Sequence, residues 1–356
     1  MTDPNLHLVV MAGGSGTRFW PKSTSKRPKQ FLSFGTAPDA PSLLQQTLSR
    51  FDGMVPESNR VVVTTRLLES AVESQVTRAV SILAEPQGRN TAPCVYWAAR
   101  AVFEKDPKGV MLVMPSDHTI PRLADFQNTV TRAVAWAKSH DDLVTLGVSP
   151  TRPETGYGYL KTANGLTGVE GSGGFGVEAF VEKPDLARAT EYIQTGNYLW
   201  NGGMFVWRAD VILKAFDDFM PEMRREWEAA GRKVEVAYPR MTATSIDYGV
   251  MERARNVVTF TLDCGWDDLG SWTSLEALAE KLSARHEAGV VTGGQAISVE
   301  SYGCIVDAPG KLVALLGVED LIVVQQGDAI LIAKKDRAQD IKLIVEKVKA
   351  TRPELA

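Results

Sequence analysis

Cysteine, histidine and long apolar runs are scarce in this chain of 356 residues. No apolar run approaches the ~18 to 20 residues of a membrane-spanning helix, so we expect no membrane span. The only cysteines, Cys94, Cys264 and Cys304, are too far apart for metal-ligand spacing or a disulfide framework. This usage favours a reducing cytoplasm. We expect no secretory leader, because its cleavage would remove the first predicted strand.

Familiar catalytic motifs are also missing. The chain has four histidines, and only His118 lies in a motif, where we interpret it as a packed or supporting group. No Gly-x-Ser-x-Gly elbow, His-Glu-x-x-His helix or Cys–His arrangement occurs. The formal net charge of −4 argues against nucleic acid as the main partner.

Apolar segments alternate with helical patterns up to about residue 150. This pattern predicts an α/β domain of parallel strands joined by helical crossovers. The predicted strands are residues 6–11, 60–64, 81–84, 110–114 and 143–147. A helix between the last two strands has an apolar face formed by Leu123, Phe126, Val130, Val134 and Ala137. Ligands of such sheets bind beyond the carboxyl ends of the strands, so the loops there are the candidate sites.

The second half of the chain is less regular. Residues 165–176 are rich in glycine and predict a hairpin or a flexible insert. Residues 286–334 alternate β-rich segments with Gly and Asp-Ala-Pro-Gly turns, and residues 336–349 predict an amphipathic helix. We expect a catalytic domain over residues 1–285, with halves of about 1–150 and 151–285, and a small β-rich element with a terminal helix over 286–356.

A glycine-rich loop follows the first strand. It contains Ala12, Gly13, Gly14, Ser15, Gly16 and Thr17. Glycine lets backbone N–H groups approach a ligand, and five cations from Arg18 to Lys29 indicate a polyanion. The loop is not a dinucleotide fingerprint, because Phe19 stands where a third glycine is needed. It is not a Walker loop either, because Thr17 and Arg18 follow Gly16.

The whole run Ala12-Gly13-Gly14-Ser15-Gly16-Thr17-Arg18-Phe19-Trp20-Pro21, with Pro28-Lys29-Gln30-Phe31-Leu32 after it, resembles the signature loop of the sugar-nucleotide pyrophosphorylases. Within them it is most similar to the mannose-1-phosphate guanylyltransferases, over about residues 7–349. The resemblance implies a Rossmann-like nucleotidyltransferase domain with a mixed, mainly parallel sheet. It also implies a C-terminal element similar to a left-handed β-helix.

The same resemblance implies an activity. Enzymes of this family use Mg²⁺ to make GDP-mannose and pyrophosphate from GTP and α-D-mannose 1-phosphate. The first half of the catalytic domain would bind the nucleotide and the second half the sugar phosphate. Arg18, Lys29 and the loop amides would hold the departing pyrophosphate. The alternatives are another sugar 1-phosphate or nucleotide, or a non-catalytic regulator that binds sugar nucleotides.

Two further expectations concern the tail. Some chains with this first loop carry a downstream phosphomannose isomerase domain, and this chain ends too soon for one, so we expect a single activity. The apolar strands of the tail would either form a homodimer contact or pack on their own domain.

The run Glu85-Pro86-Gln87-Gly88-Arg89-Asn90-Thr91-Ala92-Pro93 follows a predicted strand. One interpretation is an ordinary turn, with Asn90 or Thr91 as a helix N-cap and Glu85 paired with Arg89. The other is recognition of guanine, because an ionised carboxylate only accepts hydrogen bonds and guanine offers N1–H and N2–H donors. The family's matching run lies at the nucleobase, which implies this role for Glu85, Arg89, Asn90 and Thr91.

Two acidic motifs predict a metal site. Ser116 and Asp117 close the strand 110–114, and Asp267 and Asp268 lie in Trp-Asp-Asp-Leu-Gly-Ser-Trp. Mg²⁺ is usually held by one or two carboxylates together with phosphate oxygens and water. Spacing does not choose between Asp267 and Asp268, but the family pattern aligns Asp268. The resemblance places Ser116 at the nucleotide.

Three segments resemble the family's sugar-phosphate side. They contain Gly156, Tyr157 and Gly158, then Glu182 and Lys183 before a proline, then Asn201. By the resemblance, Glu182 binds a sugar hydroxyl and Lys183 guides the phosphate, although a lone Glu-Lys pair is ordinarily a solvated strand edge. Gly202 departs from the family's Ser or Ala, which leaves Asn201 as the useful position. Residues 245–252 fit helix capping as well as sugar binding.

Overall fold

The fold contains two compact units. A computed structural model describes residues 2–14, 16–34, 40–165, 174–279 and 284–356. Unit 1 comprises Met1–Gly13, Thr47–Pro115 and Ile120–Trp266. Unit 2 comprises Gly14–Gln46, Ser116–Thr119 and Asp267–Ala356. The boundary that we expect near residue 285 stays a prediction.

The described residues form strands and helices in the following order. The strands are β1 Leu6–Met11, β2 Arg60–Thr65, β3 Ser81–Glu85, β4 Val110–Pro115, β5 Leu143–Val148, β6 Tyr159–Gly165, β7 Gly174–Val181, β8 Tyr198–Arg208, β9 Val257–Leu262, β10 Arg285–His286, β11 Gly289–Val299, β12 Cys304–Leu316, β13 Leu321–Gln326 and β14 Ala329–Lys334. The α-helices are α1 Leu43–Ser49, α2 Glu69–Glu73, α3 Thr91–Lys105, α4 Leu123–Ser139, α5 Leu186–Thr195, α6 Ala209–Phe219, α7 Pro221–Ala229, α8 Val234–Ala237, α9 Leu275–Leu278 and α10 Ile341–Thr351.

Unit 1 is built on a mixed sheet of nine described strands. Their order is β3-β2-β1-β4-β8-β5-β9-β7-β6. Strands β7 and β8 run against the other seven, so the predicted mixed, mainly parallel sheet is confirmed. All five strands predicted in the first 150 residues are present as β1 to β5. The carboxyl ends of β1 and β4 pair with each other, which brings the loops after them to one edge.

The sequence did not predict how β4 and β5 are separated. Strand β8 lies between them and is antiparallel to both. Its sequence, with two adjacent glycines, has no clear alternation, because the strand is buried on both faces for much of its length. Asn201 therefore lies in a central strand of the sheet.

The predicted apolar face of α4 is correct except at its first residue. Phe126, Val130, Val134 and Ala137 are buried, whereas Leu123 is 41% exposed. Leu123 begins the helix, and the buried stripe starts one turn later.

Unit 2 contains a sheet of five described strands in the order β10-β11-β12-β13-β14. The inner pairs β11–β12 and β12–β13 are parallel, and the outer pairs are antiparallel. The predicted β-rich tail is thus confirmed. The Asp-Ala-Pro-Gly turn is wrong, because residues 307–310 lie within β12. They form an irregularity there, as the register moves from Gly293↔Asp307 to Gln295↔Leu312.

The remaining predictions differ in detail. The terminal helix is confirmed, but its first predicted turn is a 3-10 helix, Lys335–Asp340, and α10 begins at Ile341. Strands β6 and β7 flank the glycine-rich stretch as an antiparallel pair, and residues 166–173 lie outside the described ranges. All three cysteines are free and buried. None of the helices that the structure describes combines the length and apolar character of a membrane span.

Candidate active site

The glycine loop begins at the carboxyl end of β1. Ala12 is held in the sheet, because its N–H donates to Val63 O at 2.8 Å and its carbonyl accepts from Thr64 Oγ1 at 3.0 Å. The N–H of Ala12 is therefore already used within the sheet, and the role of this residue in nucleotide binding stays a prediction. Ser15 lies outside the described residues. The chain passes from unit 1 to unit 2 between Gly13 and Gly14.

Gly16 is the position in this loop that requires glycine. Its φ is +56°, in the left-handed region, and a Cβ there would lie 2.3 Å from Lys29 Cβ. Its carbonyl accepts a hydrogen bond from Ser23 Oγ at 2.6 Å. Residues Thr17–Phe19 then form a single 3-10 turn. The close approach at Gly16 brings Lys29 against the loop, as the resemblance implies.

The structure separates the five loop cations by environment. Lys26 and Arg27 are exposed. Lys22 forms an ion pair with Asp307, which is fully buried on β12. Lys29 is buried, and Arg18 Nη1 donates to Gln339 Oε1 at 2.9 Å. Only Arg18 and Lys29 belong to the acidic surroundings described next.

Lys29 joins the two predicted acidic motifs within unit 2. Its Nζ lies 2.9 Å from Asp117 Oδ2, and it also donates to the main-chain carbonyl of Asp268. A Cβ built on Gly270 would lie 3.2 Å from Asp268 Oδ1 and 3.6 Å from Arg18 Nη1. Arg18, Lys29, Asp117 and Asp268 therefore form one group, the charged cluster of unit 2.

The two neighbouring aspartates have different roles. Asp267 is buried, its Oδ1 accepts from Leu269 N at 2.7 Å, and its main chain pairs with Thr119 in an isolated bridge. Leu269 has a φ of +49°, and this hydrogen bond stabilises its turn. Asp267 is thus occupied in the loop, whereas the carboxylate of Asp268 lies beside Gly270. The choice of Asp268 as a metal ligand stays a prediction from the family pattern.

Asp117 is charged at neutral pH. Burial raises its pKa, but the ammonium of Lys29, together with His118, outweighs that effect, and the net shift is downward. His118 Nε2 lies 3.8 Å from Asp117 Oδ1, in keeping with a supporting role. Ser116 is buried beside it in sequence.

A divalent metal fits this cluster by its chemistry. Two carboxylates are hard oxygen ligands of the kind that Mg²⁺ prefers. Among the described residues no group of three or more His, Cys, Asp or Glu side chains forms a closed metal site. Mg²⁺ sites usually complete their coordination with substrate phosphate oxygens and water.

The predicted nucleobase motif, residues 85–93, lies in unit 1. Glu85 is 4% exposed and accepts a hydrogen bond from Tyr238 OH. A Cβ on Gly13 would lie 3.5 Å from Glu85 Oε2, so the carboxyl faces the start of the glycine loop. Burial raises the pKa of Glu85 to about 7, although the hydrogen bond from Tyr238 acts in the opposite direction.

The other residues of this motif have structural contacts. Asn90, with a φ of +64°, is the N-cap of α3, and its side chain accepts from Thr91 N at 2.8 Å. Thr91 Oγ1 accepts from Ile246 N at 2.9 Å. Arg89 Nη1 donates to Met241 O at 2.8 Å. The N-cap interpretation is confirmed for Asn90, while the predicted Glu85–Arg89 pair is replaced by contacts to residues 238–241.

The predicted sugar-side residues meet in unit 1 around Gly158. A Cβ on Gly158 would lie 2.8 Å from Glu182 Oε2 and 3.6 Å from Asn201 Cβ, and its carbonyl accepts from Asn201 N at 2.8 Å. Lys183, with a φ of +41°, pairs with Glu182. Gly158, Glu182, Lys183 and Asn201 form the Gly158 group.

Two other predicted residues flank this group in sequence. Tyr157 packs edge-on against Trp200 and Trp266, with ring centroids 5.2 and 5.4 Å away. Gly156 N donates to Glu154 Oε1 at 3.0 Å, so this amide contributes to the turn before Tyr157.

Comparison with known proteins bears directly on this arrangement. The nucleotidyl transferase family matches residues 7–285. Mannose-1-phosphate guanylyltransferase ManC of Salmonella typhimurium (strain LT2) is 39% identical over 366 residues, covering 98% of this chain and 74% of the relative. This chain belongs to the family of the mannose-1-phosphate guanylyltransferases.

Two further comparisons agree with that membership. The mannose-1-phosphate guanylyltransferase of Escherichia coli (strain K12) is 38% identical over 98% of this chain and 75% of its own length. The crystal structure of mannose-1-phosphate geranyltransferase from Thermus thermophilus superposes with a TM-score of 0.87 and 33% identity, over 97% of this chain and 99% of that one. Nucleotidyl transferases generally use a divalent metal.

The tail matches a second family model. Residues 294–348 match the MannoseP isomerase/GMP-like beta-helix domain. The expected β-helix-like element is confirmed by this match and by the parallel pairs at its centre.

The contacts that Tyr238 and Asp247 make with predicted site residues were not predicted from the sequence. Tyr238 donates to Glu85. Asp247 Oδ1 accepts from Asn201 Nδ2 at 2.7 Å, within a π-helical turn, Asp247–Met251. Burial raises the pKa of Asp247, against the effect of that hydrogen bond. Asp247 lies in residues 245–252, which the sequence had left open between capping and sugar binding. Ser245 Oγ accepts from Tyr248 N, which agrees with capping, and sugar binding stays a prediction.

Proposed function

We propose that this chain transfers GMP from GTP to α-D-mannose 1-phosphate, giving GDP-mannose and pyrophosphate. The observation that carries the proposal is the charged cluster of unit 2, in a member of the mannose-1-phosphate guanylyltransferase family. Lys29 contacts both acidic motifs, and Arg18 lies beside one of them. A protein that only binds sugar nucleotides has no need for two metal-type carboxylates.

The reaction balances as an in-line displacement at phosphorus. A phosphate oxygen of mannose 1-phosphate attacks the α-phosphorus of GTP, and the bond from that phosphorus to the β-phosphate bridging oxygen breaks. The electron pair leaves with pyrophosphate. Because the second pKa of a phosphate monoester is about 6, the nucleophile is already ionised at neutral pH. No side chain is needed as a general base, which agrees with the absence of a catalytic histidine motif.

The protein's contribution is alignment and charge neutralisation. Arg18, Lys29 and the amides of Gly13, Gly14, Gly16 and Thr17 would hold the pyrophosphate. In the Gly158 group, Glu182 and Asn201 would hold sugar hydroxyls and Lys183 would guide the incoming phosphate.

Asp117 and Asp268 would hold Mg²⁺. When bound, the ion supplies neutralisation of phosphate charge. The low pKa of Asp117 keeps it available as an anionic ligand. Lys29 balances its charge in the absence of the ion.

Glu85 would select guanine, with Arg89, Asn90 and Thr91 shaping its loop and Ser116 adding a nucleotide contact.

Two other proposals rest on the sequence. One is a homodimer formed through the tail, where Leu316 and Ile332 are 75% and 67% exposed. The other is a cytoplasmic location.

A pyrophosphate-release assay tests the activity. Purified protein is supplied with GTP, Mg²⁺ and a panel of sugar 1-phosphates, and then with other nucleoside triphosphates and mannose 1-phosphate. We expect the highest kcat/KM with GTP and mannose 1-phosphate. A higher value with another pair would change the substrate assignment, and no release with any pair would favour the binding regulator.

Single substitutions test the cluster. Asp117→Ala and Asp268→Ala should each abolish Mg²⁺-dependent turnover, whereas Asp125→Ala, at a half-exposed side chain on α4, should not. Arg18→Ala should lower turnover a hundredfold to a thousandfold, which corresponds to an increase of about 2.7 to 4 kcal/mol in the activation free energy. Lys26→Ala is its matched control in the same loop. Retained activity in a cluster variant would remove that residue from the site.

A further inference from the structure

The nucleobase motif is hydrogen-bonded to a segment of unit 1 that is distant in sequence. The clamp segment, residues 238–246, makes four hydrogen bonds to it: Tyr238 OH to Glu85 Oε1, Arg89 Nη1 to Met241 O, Ala92 N to Thr244 O and Ile246 N to Thr91 Oγ1. Three of these bonds use main-chain groups of the clamp segment. Tyr238 contributes the only side chain, and it contacts the carboxyl that would read the base.

Tyr238 is placed to donate its hydroxyl proton to the ionised carboxylate of Glu85. Its side chain is fully buried, and its ring packs against Trp97 with centroids 5.8 Å apart. Burial, Cys94 and Glu85 all raise the pKa of Tyr238, so the hydroxyl keeps its proton. The ring contact holds the phenol oxygen beside Glu85.

The two oxygens of Glu85 consequently have different surroundings. Oε1 receives the Tyr238 hydroxyl, and Oε2 lies 3.5 Å from the Cβ position of Gly13. A carboxylate oxygen accepts more than one hydrogen bond, so Oε1 can serve both Tyr238 and a ligand. The hydrogen bond restrains the carboxylate with its other oxygen toward Gly13.

We propose that Tyr238 is a positioning residue for guanine: it orients Glu85 and keeps it an acceptor for the N1–H and N2–H donors of GTP. This inference rests on the proposed guanine role of Glu85. A protonated carboxyl would present a donor to N1–H, and a rotated one would present no acceptor. In either case the preference for guanine would be lost.

The protonation of Glu85 depends on the groups around it. Tyr238 faces it from the clamp segment and Cys94 from α3, while Arg89 lies on its own loop. Burial raises the pKa of Cys94 well above its ordinary value, so the thiol adds no charge. The Tyr238 hydrogen bond favours the ionised carboxylate, and its loss therefore raises the pKa of Glu85.

Tyr238→Phe isolates the hydroxyl, because phenylalanine keeps the ring that packs on Trp97. The matched control is Tyr96→Phe. The Tyr96 hydroxyl is also buried, has no hydrogen-bond partner among the described residues, and its ring packs edge-on against Phe216. Both variants lose one buried phenol oxygen from unit 1, but only one of them loses a contact with Glu85.

The assay measures pyrophosphate release with GTP and with inosine 5′-triphosphate, which lacks the 2-amino group, across pH 5.5 to 9 at saturating mannose 1-phosphate. For Tyr238→Phe we expect the KM for GTP at pH 7 to rise about tenfold to a hundredfold, as for loss of a hydrogen bond to a charged group. The kcat and the KM for mannose 1-phosphate should stay within about twofold. The acid limb of kcat/KM for GTP should move to higher pH.

Glu85→Gln separates this inference from the proposed function. If Glu85→Gln loses the preference for GTP over the inosine nucleotide and Tyr238→Phe behaves like Tyr96→Phe, the positioning role is wrong and the guanine role stands. If Glu85→Gln keeps both the preference and the wild-type pH profile, Glu85 does not read the base, and the inference fails with it. Calorimetric titration of GTP without sugar phosphate gives the same comparison independently of turnover.

Discussion

Gly16→Ala should destabilise the glycine loop through both backbone strain and a steric clash. With a φ of +56°, alanine at this position adopts a left-handed conformation that costs about 1 to 2 kcal/mol. Its Cβ would also lie 2.3 Å from Lys29 Cβ and 2.7 Å from Lys29 N. Because one of these atoms is main chain, the loop or Lys29 must move by more than 1 Å, at a further cost of about 1 to 3 kcal/mol.

That movement also reaches the charged cluster. Lys29 Nζ is 2.9 Å from Asp117 Oδ2, and a displacement of about 1 Å can lower turnover about a hundredfold. We therefore expect Gly16→Ala to lose about 2 to 5 kcal/mol of stability in urea unfolding and about a hundredfold in pyrophosphate release.

Gly14→Ala is the control within the same loop. Its Cβ would meet nothing within 4 Å, and its φ lies outside the left-handed region. Its stability should stay within about 0.5 kcal/mol of the wild type. Equal urea midpoints for the two variants would refute the steric argument. Loss of activity in Gly14→Ala at unchanged stability would instead indicate close approach of a ligand at Gly14.

Three other substitutions give separate expectations. The pKa of Glu85 is raised from 4.5 to about 7 in the folded protein. Because the unfolded chain releases this proton more readily, the wild type loses folding stability as the pH rises from 4.5 to about 7. The urea stability of Glu85→Gln relative to wild type should thus grow by up to about 3 kcal/mol from pH 5 to 8, and parallel profiles would contradict the burial of this carboxyl. Lys22→Met leaves Asp307 buried without its cation and should cost about 3 to 5 kcal/mol; a thermal melt no lower than that of Lys26→Met would argue against it. Asp247→Ala should raise the KM for mannose 1-phosphate at unchanged KM for GTP, and the opposite pattern would move it to the nucleotide side.

The sequence predicted the strands of the first half closely. Their apolar runs are short and end in turn residues, so β1 to β5 begin where predicted. The motifs at their carboxyl ends were also found, since loops there follow directly from the strand pattern. The position of β8 could not be predicted, because the antiparallel pairing of residues 198–208 with both β4 and β5 depends on contacts across the whole sheet.

The site was predicted best where local sequence determines it. Asp117 was predicted from its residue type and loop position and Asp268 from the family pattern, and Lys29 contacts the carboxylate of the first and the main chain of the second. Tyr238 was missed because 153 positions separate it from Glu85, and a tyrosine in an irregular stretch has no local signal. The Lys22–Asp307 pair was missed for the same reason, so Lys22 looked like one more ligand-binding cation.

The discontinuity of unit 2 also matters while the chain is being made. The loop of residues 14–46 finds its partners Asp268, Asp307 and Gln339 in the segment Asp267–Ala356. During synthesis the sheet strands β1 to β9 emerge first. Lys29, Lys22 and Arg18 lie 239, 285 and 321 positions before these partners, so the contacts form only after those strands have been made. A nascent chain released before residue 267 would hold much of unit 1 and the Lys29–Asp117 pair, but none of the contacts of the loop's cations with Asp268, Asp307 and Gln339.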